Sequence, residues 1–120
     1  FLFYSINRIQ RIMSDNRVAK WIHHLCVLSS ASPDLFRCFI QTCDKDLLVC
    51  IAEIFTNIGN LTISLEDTDI AFLRKNVNRV EELGNVLVAG QRTARDIIIQ
   101  RRFLVQRGIQ AALRALEYTI

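Results

Sequence analysis

An all-α fold, a compact antiparallel array of about six to seven short helices, follows from three observations on this 120-residue chain. Apolar residues recur at helical spacing through most of its length. No stretch alternates convincingly at period two; LTISL (61–65) is the nearest candidate and reads better as a connector. The single proline and the four glycines fall where helices should begin or end.

In chain order, residues 3–13 place Ile6, Ile9 and Met13 on one side, and residues 16–29 gather Val18, Trp21, Ile22, Leu25 and Leu28. Ser32-Pro33 then supplies an N-cap and a first-turn proline for a helix over 33–42 that carries Leu35, Phe36, Phe39 and Ile40. The cleanest stripe is Leu47, Leu48, Ile51, Ile54, Phe55 and Ile58 within 45–58. Ser64-Leu65-Glu66-Asp67 resembles a capping box, with Asp in place of Glu or Gln, ahead of a helix over 66–83 carrying Ile70, Leu73, Val77 and Val80. Two last helices are expected over about 92–107 and 109–118. Gly59-Asn60, Gly84-Asn85 and Gly108 each follow a periodic run, as C-terminal glycines do. Short loops between such segments bring neighbouring helices antiparallel. The length fits one domain over 1–120, and a chain that begins at Phe1 is expected to be a fragment or processed part of a longer one.

Composition narrows the function. Hydrophobic residues make up 51% of the chain, an apolar surplus suited to an oligomeric interface. The longest apolar runs are far short of the ~20 residues of a membrane helix, so no membrane partner is expected. Net charge is only +3, a mild bias for a nucleic-acid binder. Its distribution says more. Residues 1–32 hold four Lys/Arg against one acid, residues 33–90 five against nine, and residues 91–120 six against two. Basic ends around an acidic centre are expected to pack against it.

The segment RDIIIQRRFLVQRG (95–108) tests that expectation. Wound at about 100° per residue, Ala94, Ile97, Ile98, Leu104 and Val105 gather on one side, with Ile99 and Phe103 nearly opposite. That pattern is expected of a central helix enclosed by neighbours, with Arg101 as a buried structural charge paired to the acidic middle. Only Arg95 and Arg102 share a polar strip there. A better basic face lies on 16–29, where Arg17, Lys20 and His24 share the side opposite Trp21 and Leu25, with Arg8 and Arg11 on the preceding helix. These seven residues are the candidates for phosphate contact.

Other chemistry finds little support. Cys26, Cys38, Cys43 and Cys50 form no CxxC pair, and reduced, buried thiols in a reducing, intracellular compartment are expected. His23 with Cys26 offers two metal ligands and no more, so no metal or other cofactor is expected. The two histidines are adjacent, which leaves no nucleophile–base–acid constellation, and no glycine-rich phosphate loop occurs. The chain is therefore not expected to be an enzyme. Glu53 and Asn57, one turn apart beside the main stripe, form a polar pair able to bond across to a loop or partner. Asn60-Leu61-Thr62 is a glycosylation sequon, relevant only to a secreted chain.

The run FRCFIQTCDKDLLVCIAEIFTNIGNLTISL, followed by FLRKNVNRVEEL and RRFLVQRG, resembles a small all-helical open-reading-frame product of Polinton/Maverick-type elements and their adintovirus-like relatives. The likeness covers about residues 35–116 and rests on Glu53, Asn57, Gly59-Asn60 and the RRFLVQRG segment. It departs at Gly108-Ile109, where the family carries a glycine pair. The resemblance implies a virus or mobile-element origin, a role in assembly or genome handling, and a place in the virion or host nucleus. It implies no reaction. Two functions remain in view: a non-enzymatic helical interaction or assembly module that binds itself or another protein, and a DNA- or RNA-associating protein.

Overall fold

The computed structural model describes residues 17–60 and 65–116. The helix expected over 3–13, with Arg8 and Arg11, lies outside the described residues, as do Ser64 of the capping box and Leu61-Thr62 of the sequon. Among the described residues there are seven α-helices, one 3-10 turn and no strand. The helices are α1 (Arg17–Ser30), α2 (Pro33–Thr42), α3 (Lys45–Gly59), α4 (Asp67–Lys75), α5 (Val77–Gly84), α6 (Gln91–Gln100) and α7 (Arg102–Ala115); the 3-10 turn (Val86–Ala89) precedes α6.

Local sequence explains the first boundaries. The Ser32 hydroxyl accepts from the Leu35 amide at 3.3 Å, with Pro33 in the first turn of α2. Asp44 caps α3 by accepting from the Asp46 amide at 2.7 Å, and Asn60 closes that helix through its own N–H. Within α3, Leu47, Leu48, Ile51, Ile54, Phe55 and Ile58 are all buried. This helix is the hub: α1, α5, α6, α7 and the 3-10 turn all pack on it. Around it, α1 lies on α7 and α2 on α6.

Three expectations require correction. The helix over 66–83 is two helices, broken at Asn76 (φ −120°, ψ 25°), whose side-chain amide donates to Phe72 O at 2.9 Å. An Asn amide that bonds locally competes with the helical ladder, which accounts for the break. Glu66 is the N-cap of α4 and makes no side-chain cap bond.

The helix over 92–107 is likewise divided, at Arg101 (φ −98°, ψ 26°), and α7 runs on through Gly108. Gly108 ends nothing: it is buried in mid-helix, against the ring of Phe55. Gly59 and Gly84 do fall at helix ends. Only Gly90 has a positive φ, 95°, and there the chain turns from the 3-10 turn into α6.

Candidate functional site

The polar contacts follow the predicted charge partition. Arg17 Nε donates to Asp46 Oδ1 at 2.8 Å and its Nη1 to Glu53 Oε2 at 2.8 Å. Lys20 Nζ reaches Asp46 Oδ2 at 3.2 Å, and the Trp21 indole N–H donates to the same oxygen at 2.8 Å. These donors, Trp21 first and Arg17 next, hold the Asp46 carboxyl down to about 2. The Asp46 hydrogen bond in turn raises the Arg17 guanidinium.

The expected basic face on 16–29 is thus largely neutralised from within. Trp21 is not opposite Arg17 and Lys20: the backbone leaves helical geometry at Trp21 (φ −105°, ψ 15°), and all three side chains converge on one carboxylate. His24 is exposed and stands edge-on to Trp21 and Phe39, with ring centroids 5.0 and 5.7 Å away. Glu53 bonds to α1 through Arg17, and the Asn57 amide donates back to Glu53 O at 2.8 Å.

The other nominated cations have structural tasks. Arg95 Nη1 donates to Ile40 O at 2.7 Å near the C-terminus of α2, where carbonyls lack helical partners, and lies 3.5 Å from Cys43 Sγ. Arg102 Nη1 donates to Gln106 Oε1 at 2.9 Å. That contact orients Gln106, whose Nε2 donates to Leu28 O and Ala31 O at 2.9 and 2.8 Å. With Gln110 donating to Ser29 O at 2.7 Å, α7 satisfies the frayed end of α1. Arg101 is half-buried rather than buried, because it sits at the break between α6 and α7 with its guanidinium turned to Glu82, 3.4 Å away.

The charge that is buried is one the sequence reading passed over. Asp69, on α4, is 2% exposed and held by Arg107 Nε at 3.1 Å and Arg114 Nη2 at 2.7 Å. Its position in the first turn of a helix looks like dipole complementation, and only the fold brings the two arginines to it.

The four cysteines are free. They are not uniformly buried as expected: Cys50 is buried, Cys26 and Cys43 are intermediate, and Cys38 is exposed. Burial pushes the Cys50 thiol up to about 12 and raises Cys43 as well, against the opposing pull of Arg95. Among the described residues no group of three His, Cys, Asp or Glu is placed to hold a metal, and no helix is long and apolar enough to cross a membrane.

The surface that stands out lies where α4, α5, α6 and α7 meet. Phe103, expected to be walled in, is 68% exposed, while Leu104 and Val105 beside it are buried. Leu104 and Val105 face the core with Ile98, as the winding of this segment places them, and on the opposite side solvent rather than a covering helix meets most of Phe103. Phe72 of α4 lies beside it, ring centroids 6.5 Å apart, with the Arg107 guanidinium 4.5 Å above the Phe72 ring. These rings border a shallow groove of roughly 260 Å³ lined also by Asn76, Arg79, Gln100, Arg101 and Leu104. No acidic side chain lines it. Arg79 is exposed and makes no ion pair with another described residue. Exposed aromatic surface bordered by arginine is the composition of interface centres rather than of ordinary protein surface.

No protein-family model matches the chain, and no curated protein or solved structure matches it significantly.

Proposed function

We propose that this chain is a non-enzymatic helical interaction module that binds a protein surface through the Phe72–Phe103 groove. The observation that carries the reading is the exposure of Phe103 beside a well-filled core. An aromatic ring left in water costs free energy that burial in a partner recovers, at roughly 25 cal/mol per Å² of apolar surface. Neither Cys43 nor Cys50 is held as a thiolate, in keeping with a non-catalytic role, and free thiols fit a reducing intracellular compartment. With the resemblance described above, the reading extends to an assembly protein of a virus or mobile element.

Association with DNA or RNA is the weaker reading. Of the nominated cations, Arg17 and Lys20 are spent on Asp46 and Glu53, and Arg95 and Arg102 on a helix end and a glutamine. Tracking phosphates takes several free cations along a line; of the two arginines that line the groove, Arg101 is paired with Glu82 and Arg79 alone makes no ion pair with another described residue.

Light scattering at about 50 and 200 mM salt, with and without a DNA duplex, tests the choice. The module reading expects no DNA complex at either salt and protein association that persists at the higher one. A DNA complex that forms at low salt and is lost at high salt contradicts it.

A further inference from the structure

The groove has a chemical counterpart on the same chain. Five large apolar side chains are exposed among the described residues: Val27, Leu35, Val77, Val88 and Phe103. Leu35 is the one preceded by an acid: Asp34, whose side chain is 95% exposed. Phe103 is the one preceded by two arginines, Arg101 and Arg102, with Arg79 across the groove. We infer that the groove is occupied by a second copy of this chain, with Leu35 of that copy set against Phe72 and Phe103 and its Asp34 carboxylate against Arg79. This rests on the interaction-module reading and names its partner.

Both halves are available and firmly held. Among the described residues Asp34 pairs with Arg37, three residues on, at 3.7 Å in open solvent, a contact worth little. Arg79 has no competing ion pair among the described residues, and Arg101 offers Glu82 only its Nε, leaving its other N–H groups to an incoming carboxylate. The first turn of α2 is fixed by the Ser32 cap and by Pro33, so presenting Leu35 and Asp34 costs little ordering on association. Groove and tip are different surfaces, so the contact is heterologous. It closes as a dimer if both contacts form about a two-fold axis, and otherwise extends head to tail.

Complementation tests this. Phe103→Asp blocks the groove and leaves the tip; Leu35→Arg blocks the tip and leaves the groove. Each variant alone is expected to associate at least tenfold more weakly than wild type in light scattering. An equimolar mixture is expected to recover a one-to-one complex, because one intact groove meets one intact tip. The charge pair gives a second arm: Arg79→Glu weakens association, and Asp34→Arg in the same chain restores it to within a few-fold. Circular dichroism and thermal unfolding confirm that each variant folds; should Phe103→Asp fail, Phe103→Ser takes its place. A wild-type chain that stays monomeric up to about 1 mM overturns the inference. So does association that the variants leave unchanged, or a mixture that stays monomeric. DNA binding in the experiment above would instead overturn the module reading itself.

Discussion

The ring of Phe55 on α3 occupies the space where residue 108 on α7 would carry a side chain: a Cβ built there would lie 2.3 Å from Phe55 Cζ. Gly108→Ala therefore forces the ring or the helix to move. We expect a loss of about 1–3 kcal/mol, measured by chemical denaturation. Phe55→Leu in the same chain should recover part of that loss, although alone it is destabilising. Equal losses for the single and double variants would refute this account of Gly108.

Asp46 ties α1 to the start of α3, and its folded pKa, about 2, lies below the usual carboxylate value. A depressed pKa contributes stability above the unfolded value, near 4, and that contribution is lost as pH falls toward 2. Its side chain is 28% exposed, so solvent screening reduces the contribution to the order of 1 kcal/mol. Asp46→Asn should flatten the stability-against-pH curve between about pH 4 and 2. A slope unchanged from wild type would show that Asp46 is not its source.

Much of this architecture is legible in the sequence because its causes are local. Ser32-Pro33, Asp44 and Asn60 are short-range devices, and the stripe from Leu47 to Ile58 needs only helical periodicity to be read. The charge partition survives because ends and middle pack together, as the Arg17–Asp46, Arg101–Glu82 and Arg107–Asp69 pairs show. What fails is what depends on distant partners. Gly108 reads as a terminator until Phe55, far away in sequence, is placed beside it. The break at Arg101 has no proline or glycine to announce it, and an apolar residue opposite a buried stripe, as Phe103 is, reads as a second buried side until the neighbouring helices are placed. Asp46 and Asp69 gave no sign that either would become a focus of cations.

Gln106 is buried and bonds to two carbonyls at the end of α1. Gln106→Leu keeps much of its volume and leaves Leu28 O and Ala31 O without those donors, a cost of about 1–3 kcal/mol. Hydrogen exchange should quicken at the C-terminal turn of α1 before other helices respond. Uniform acceleration across the whole chain would argue that Gln106 acts only through global stability.

Asp69 should be less tolerant still. Asp69→Ala leaves Arg107 and Arg114, each partly exposed, without their shared buried carboxylate. A loss of about 2–4 kcal/mol is expected in denaturant unfolding, at the lower part of the range for breaking buried pairs because both guanidinium groups retain access to water. A loss below 1 kcal/mol would mean that the clamp contributes little to the fold.

The central claim is that Phe103 serves association rather than folding, and Phe103→Ser, followed by light scattering and thermal unfolding on one preparation, tests it most directly. The account predicts that association is lost while Tm stays within a few degrees of wild type, as expected for a side chain that is 68% exposed. A fall in Tm of about 10 °C or more, equivalent to roughly 2 kcal/mol or more, or association undiminished by the substitution, would contradict it.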